Sequence, residues 1–240
     1  MRRQCPAPSC TEPGQIGNAL KNPQARQKFD KARTPIDRNT TVPCDRILDQ
    51  PHDTPETIMA RPDETLPFIP VNIAVLTVSD TRTAANDTSG DALAERIAKA
   101  GHRVADRAIE KDDTAVIEAL LRKWIADPEI DVVITTGGTG ITGRDVTPEA
   151  FERVMEKRIE GFGELFRMLS YQKIGTSTMQ SRAIGGVAGG TYLFALPGST
   201  GAVKDGWDDI LVSQLDNRHR PCNLVELMPR LQEHLKPAAE

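Results

Sequence analysis

An α/β fold, with three layers built around a mostly parallel but mixed sheet, is predicted by three features of the sequence. Apolar, β-branched runs at 71–78 (Val-Asn-Ile-Ala-Val-Leu-Thr-Val) and 132–134 (Val-Val-Ile) are near-continuous, as in strands buried on both faces. Segments with apolar residues at helical spacing follow the strands, and that alternation over residues 71–235 implies parallel strands joined by helices. Near the end, Ala183 to Ala188 and Thr191 to Leu196 flank the pair Gly189-Gly190. They read as a tight hairpin or two adjacent strands, which makes the sheet mixed.

The first strand, Val71 to Val78, runs into Ser79-Asp80-Thr81-Arg82, a polar cluster at a strand's carboxyl end, where open α/β sheets bind ligands. Asp87-Thr88-Ser89-Gly90 caps a helix carrying Leu93, Ile97 and Ala100, stopped by Gly101. His102 to Ile109 alternates weakly and makes the second strand. Asp112 or Asp113 caps the next helix, whose apolar stripe is Val116, Leu120, Leu121, Trp124 and Ile125. The third strand empties into a loop containing Gly137, Gly138, Gly140 and Gly143, and Thr147-Pro148 read as an N-cap followed by Pro at the first helical position. That helix is expected to reach about Arg158, with Gly161 and Gly163 interrupting before a second helix with Leu165, Phe166, Met168 and Leu169. Thr176 to Ser181 is polar. After the hairpin, Pro197-Gly198-Ser199-Thr200 leads into a helix with Val203, Trp207, Ile210, Leu211 and Leu215, and a last short helix spans about Asn223 to Leu235.

Residues 1–65 stand apart from the rest. Eleven of the seventeen prolines precede residue 71, among Arg, Lys, Asp, Thr and Asn, with apolar residues scattered without period. Such a segment cannot bury enough surface to offset its chain entropy. It is expected to be disordered, or an upstream over-extension with Met59 as the true start, leaving 66–236 as the domain. Asp30, Asp37, Asp45 and Asp49 argue against a transit peptide. A formal charge of −4 provides no basic face for nucleic acid. Cys5, Cys10, Cys44 and Cys222 lack the paired spacing of a zinc site and fit reduced thiols. His52, His102, His219 and His234 share no metal spacing, so neither a histidine metal site nor a Ser/His hydrolase is supported. No apolar run approaches a membrane span. A cytoplasmic protein without nucleic-acid or membrane partners is expected.

The chemistry concentrates between Asp131 and Pro148. Glycines at 137, 138, 140 and 143, interleaved with threonines, let a backbone turn several N–H groups toward one anion. Gly138 to Gly143 matches the dinucleotide fingerprint letter for letter, but the helix starts only at Thr147-Pro148 and the loop follows the third strand, against that motif's geometry. Arg144-Asp145 stand where a P-loop requires Lys and Ser/Thr. Asp145 is informative, because an acid beside a phosphate cradle repels the ligand unless a cation such as Mg²⁺ bridges them. The plainer roles for Asp145 are a salt bridge to Arg144 or a cap. Asp80 and Asp112 are placed to join the same site, or to serve as a turn and an N-cap. Ser181-Arg182 and Leu196-Pro197-Gly198-Ser199 bracket the hairpin; Arg suits bidentate anion binding, and Pro-Gly brings backbone close to a ligand.

These motifs together resemble the MoaB/MogA family of molybdenum cofactor biosynthesis proteins, related to the corresponding domains of gephyrin. The carriers are Thr77-Val78-Ser79-Asp80, Asp87-Thr88-Ser89-Gly90, Thr135-Thr136-Gly137-Gly138-Thr139-Gly140, Arg144-Asp145-Val146-Thr147-Pro148-Glu149, Glu160-Gly161-Phe162-Gly163-Glu164, Phe166-Arg167-Met168-Leu169-Ser170, Gln180-Ser181-Arg182-Ala183 and Leu196-Pro197-Gly198-Ser199, over roughly residues 66–228. Gly175-Thr176-Ser177-Thr178, Arg220-Pro221-Cys222-Asn223 and Glu160, where the family usually has Pro, look most like the B branch. The resemblance implies a molybdopterin-binding α/β domain, assembled as a homotrimer or homohexamer. It also implies transfer of AMP from ATP to the terminal phosphate of molybdopterin, with Mg²⁺ as cofactor. Carried over, Asp145, Asp112 and Asp80 would be the catalytic acids, with Asp145 and Asp112 holding Mg²⁺. Thr136, Gly137, Gly138, Thr139, Gly140, Arg144, Ser181, Arg182, Pro197, Gly198 and Ser199 would hold the pterin or its phosphate. The intact Arg144-Asp145-Val146-Thr147-Pro148 segment favours retained transfer over the alternative, a non-catalytic molybdopterin carrier or scaffold.

Overall fold

A computed structural model of the chain describes residues 62–235. The expectations for the N-terminal extension and for Met59 lie, up to residue 61, outside the described residues. Six strands form one sheet in the order β2-β1-β3-β6-β5-β4. They are β1 (Asn72–Val78), β2 (Arg103–Glu110), β3 (Val132–Thr136), β4 (Lys157–Arg158), β5 (Ile184–Ala188) and β6 (Thr191–Leu196). β2, β1, β3 and β6 run parallel, while β5 is antiparallel to both β6 and β4. The hairpin at Gly189-Gly190, both at positive φ, makes the sheet mixed as expected.

Helices cover both faces. On one side lie α1 (Thr88–Lys99), α4 (Glu160–Ile174) and α5 (Thr200–Gly206), the last continued by a π-helical turn (Trp207–Leu211) and α6 (Val212–Gln214). Leu93, Ile97, Phe162, Phe166, Val203, Trp207, Ile210 and Leu211 pack there on Ile73, Val75, Val132, Ile134, Tyr192 and Phe194. The opposite face carries α2 (Thr114–Ile125) and α3 (Thr147–Val154), whose Ile117, Leu121, Trp124, Phe151 and Val154 pack on Ala74, Leu76, Val133, Leu193 and Ala195. Alternation of side chains along buried strands divides them between two cores, the basis of the three layers.

Local chemistry explains the boundaries. Asp87 caps α1 by accepting from Gly90 N, and Asp113 caps α2 by accepting from the N–H groups of Ala115 and Val116. Asp113 rather than Asp112 is therefore the cap, which leaves the Asp112 side chain available. The buried stripe of α2 is Ile117, Leu121 and Trp124, whereas Val116 is exposed. Trp124 fixes that phase because its indole N–H donates to Asp106 on β2 at 2.8 Å.

Four expectations are corrected. Thr147 is the first residue of α3, not its cap; the preceding residue is Val146, without a side-chain cap bond. α3 stops at Val154 rather than near Arg158, because Glu156 N and Ile159 N donate to Val187 O and Gly185 O at the sheet edge. The intervening Lys157–Arg158 becomes β4. Gly161 and Gly163 do not interrupt a helix but lie inside α4. At Gly163 a Cβ would come within 2.5 Å of Ala183 O, so this glycine permits close packing where the chain turns into β5. The region expected as one last helix is instead two 3₁₀ turns, Val225–Arg230 and Glu233–Leu235.

Residues 63–70 are tied to the C-terminal part of the fold. Asp63 N donates to Arg218 O, Ile69 N to Asn217 Oδ1, and Asn217 Nδ2 to Pro67 O.

Candidate functional site

The chain leaves β1 through α1 on one face and β3 through α3 on the other, so the carboxyl ends of β1 and β3 diverge into loops that go opposite ways. Such a switch point opens a crevice. A cavity of about 600 Å³ lies there, within the roughly 300–1,000 Å³ of small-molecule sites. Thr77, Val78 and Ser79 at the end of β1, Thr136 and the loop to Gly140 after β3, and Pro197 to Ser199 after β6 line it, with Asp112, Arg144, Asp145 and Ser181.

The glycine loop is held open by specific contacts. Gly137 has φ +101°, and a Cβ there would strike the Val78 carbonyl; Gly138 has φ +62° beside Thr147 and Asp112. No other residue type tolerates both constraints without strain. Gly137 N donates to Leu196 O and Thr147 N to Gly138 O, each at 3.0 Å, while the Thr147 hydroxyl donates to Gly137 O at 2.9 Å. The Thr136 hydroxyl donates to Pro197 O at 3.1 Å, and a Cβ on Gly198 would sit 3.1 Å from Gly137 Cα. The β3 and β6 loops are thus locked edge to edge, and the Ser199 side chain accepts from Ala202 N to cap α5.

Asp145 folds back on the loop. Its Oδ2 accepts from the Thr142 N–H and hydroxyl. Burial on its own would raise this carboxyl, but the Thr142 bonds, the Gly140 N–H and then the charge of Arg182 hold it below the ordinary carboxylate range. Asp112 behaves oppositely: burial pushes its carboxyl up, and the charges of Asp80 and then Asp145 push it further, against the pull of Arg144. The three acids therefore share one electrostatic neighbourhood. Among the described residues, no group of three or more His, Cys, Asp or Glu side chains forms a metal cage.

Two expected contacts lie elsewhere. Asp80 is outside the cavity lining, at its rim, where Arg144 Nη2 bonds to it. Arg182 is not an open anion contact in this arrangement. Its guanidinium donates to Gly140 O at 2.6 Å and Asp145 O at 2.7 Å and pairs with Glu149, while its N–H donates to Thr139 O. It clamps the glycine loop from behind, because backbone carbonyls turned away from the cavity need donors.

The residues that sequence reasoning missed come mostly from α4. Ser170, Lys173 and Ile174 line the cavity from the end of α4, and Ser177 from the 3₁₀ turn that follows it. Lys173 Nζ donates to Asp205 at 2.7 Å and Asp209 at 2.9 Å. Arg82 and Ser89 also line the cavity.

The family described as "Probable molybdopterin binding domain" matches residues 74–217, a span holding most of β1, the other five strands and every loop that frames the cavity. The chain belongs to this molybdopterin-binding family. The molybdenum cofactor biosynthesis protein B of Escherichia coli (strain K12) is 51% identical over 156 residues, 65% of this chain and 92% of that protein. The protein of the same name from Bacillus cereus is 47% identical over 146 residues, 60% of this chain and 86% of that one. Among solved structures, a molybdenum cofactor biosynthesis protein B aligns with a TM-score of 0.62 at 42% identity, covering 69% of this chain and 98% of that one. The tungsten cofactor synthesizing protein MoaB from Pyrococcus furiosus aligns with a TM-score of 0.54 at 37% identity, covering 59% of this chain and 91% of that one. The fold is thus the MoaB/MogA fold, and within the family these relatives are B proteins of molybdenum cofactor biosynthesis.

Proposed function

We propose that this protein works in molybdenum cofactor biosynthesis, binding molybdopterin at the strand-end cavity and transferring AMP from Mg-ATP to its terminal phosphate. The observation that carries the reading is the pairing of Asp112 and Asp145 with the Gly137–Gly140 loop around one cavity. In the transfer, a terminal phosphate oxygen of molybdopterin forms a bond to the α-phosphorus of ATP as the bond to the β-phosphate breaks and pyrophosphate leaves. That oxygen is already anionic, so no strong base is required, and positioning with charge neutralisation accounts for most of the catalysis.

The donor set fits Mg²⁺, which usually takes one or two carboxylates and completes its shell with phosphate oxygens and water. Asp112 and Asp145 would hold it; burial first, then the charges of Asp80 and Asp145, raise the Asp112 carboxyl, and a cation relieves both. Bound there, Mg²⁺ would neutralise phosphate charge. Backbone N–H groups of the loop would receive the pterin phosphate, Thr142 fixes the orientation of Asp145, and Arg182 keeps the loop from opening. The exposed Met168, Tyr171, Ile174 and Met179 on α4 and the following 3₁₀ turn support self-association as a homotrimer or homohexamer. A cytoplasmic setting would provide ATP and Mg²⁺.

Incubating pure protein with molybdopterin, ATP and Mg²⁺ tests the reading. Adenylylated molybdopterin and pyrophosphate are expected. Bound pterin without product would leave a carrier or scaffold, and absence of pterin binding would remove the reading altogether.

A further inference from the structure

Three cations line the cavity, and each has a protein partner. Arg82 donates to the Asn86 carbonyl, Lys173 is held by both Asp205 and Asp209, and Arg144 pairs with Asp80. Arg144 is the most readily exchanged of them. Its side chain is 68% exposed and that of Asp80 36%, and a solvent-screened pair of this kind is weakly held. The pair also bridges two separate loops, since Asp80 lies two residues beyond β1 and Arg144 eight beyond β3. Arg144 lines the cavity and Asp80 does not, so a ligand reaching Arg144 would displace Asp80 from it.

We propose that Asp80 is a positioning residue that acts through Arg144, and that their ion pair is a clasp selecting cation-complexed polyphosphate over the free anion. The inference rests on the phosphate-site reading above. A bare polyphosphate that takes Arg144 leaves Asp80 unpaired in the neighbourhood of Asp112 and Asp145, so the incoming anion faces three carboxylates. A polyphosphate carrying a divalent cation neutralises part of that charge as it arrives, and the exchange becomes favourable. The ligand class is a di- or triphosphate with its metal, and the clasp makes anion and cation binding cooperative.

Titrating the full chain with inorganic pyrophosphate, with and without Mg²⁺, by calorimetry tests the clasp in wild type, Asp80→Asn and Arg144→Gln. Wild type is expected to bind Mg-pyrophosphate at least about tenfold more tightly than pyrophosphate alone, a factor worth about 1.4 kcal/mol. In Asp80→Asn, affinity for metal-free pyrophosphate rises several-fold and the Mg²⁺ advantage shrinks; in Arg144→Gln both affinities fall. Unchanged or weaker metal-free binding in Asp80→Asn overturns the proposal, as does a wild type indifferent to Mg²⁺. Molybdopterin binding by wild type is measured alongside. If it is intact while Asp80→Asn leaves pyrophosphate unmoved, the clasp alone falls; if it is absent, the site reading falls whatever pyrophosphate does.

Discussion

Asp145 Oδ2 accepts from the backbone N–H of Thr142 at 2.8 Å and from its hydroxyl at 2.6 Å. The acid that faces the cavity is therefore also the residue that closes its own loop, with Asp145 N donating back to Thr142 O. Two roles reside in one carboxylate, and substitution separates them. Asp145→Asn keeps an acceptor oxygen and the side-chain shape but removes the charge, whereas Asp145→Ala removes both. Asp145→Asn is expected to melt close to wild type and to lose adenylyl transfer by about 100-fold or more. Asp145→Ala should lose a further ~1 kcal/mol of stability with its hydrogen bonds. Thermal melts beside single-turnover rates check this; equal loss of pterin binding and turnover in Asp145→Asn would make the residue structural.

Asp112 is expected to oppose stability in the ligand-free protein. Burial first, then Asp80 and Asp145, raise its carboxyl above the ordinary value. A folded-state value above the unfolded one means the contribution is fully present below the unfolded carboxylate pKa and is lost as pH rises through the folded value. At pH 7 the charged form is held against its preference. Asp112→Asn should therefore raise the melting temperature at pH 7, with a smaller gain below pH 4, while weakening Mg²⁺-dependent binding. A lower melting temperature at pH 7 would show that Asp112 is better paired than its surroundings indicate.

Much of this site was legible because its requirements are backbone requirements. Val132 to Thr136 followed by Gly137-Gly138 signals a buried strand entering positive φ, and both glycines adopt it. The cap at Asp87 and the hairpin at Gly189-Gly190 were readable for the same local reason. Tertiary choices were not. Gly163 looked like a breaker, yet it lies inside α4, and it is glycine because the Ala183 carbonyl passes too close for a side chain. Arg182 looked like an anion ligand, yet loop carbonyls and Glu149 occupy it. The contribution of Ser170, Lys173 and Ile174 at the end of α4, and of Ser177 just beyond it, was hidden because the polar members look like an ordinary solvated surface.

Asp87 should dominate the stability of the β1–α1 corner. Its side chain is fully buried while accepting from Thr77 Oγ1 at 2.8 Å, Gly90 N at 3.0 Å and Arg107 Nη2 at 2.8 Å. Burial would raise its carboxyl, but Arg107 and then Gly90 and Thr77 outweigh it and hold it low. Removing this carboxylate strands the buried donors of Thr77 and Gly90, whereas Arg107 is partly exposed and keeps its pair with Asp91. Unsatisfied buried donors cost about 1–3 kcal/mol, so Asp87→Ala is expected to fall in that range by urea denaturation at pH 7. The contribution is present above the unfolded carboxylate pKa of about 3.9 and is lost as pH falls through the lower folded value. The gap between wild type and Asp87→Ala should accordingly narrow below pH 4; a gap independent of pH would mean that packing, not charge, holds the corner.

Thr135 and Thr136 are adjacent on β3, and the two-residue period of a strand sends them to opposite faces. Thr136 faces the cavity and donates to Pro197 O at 3.1 Å. Thr135 is fully buried, in register with Leu76 and Ala195 from the opposite core, and its hydroxyl has no hydrogen-bond partner among the described residues. A buried hydroxyl without a partner carries a desolvation penalty of about 1–3 kcal/mol, and an apolar group of the same shape removes it. Thr135→Val is therefore expected to gain about 1 kcal/mol with molybdopterin binding unchanged. Thr136→Val should lose a similar amount and weaken binding, because it unties the β3 loop from the β6 loop. Equilibrium denaturation of the two variants decides it: destabilisation by Thr135→Val would place a bound water on that hydroxyl.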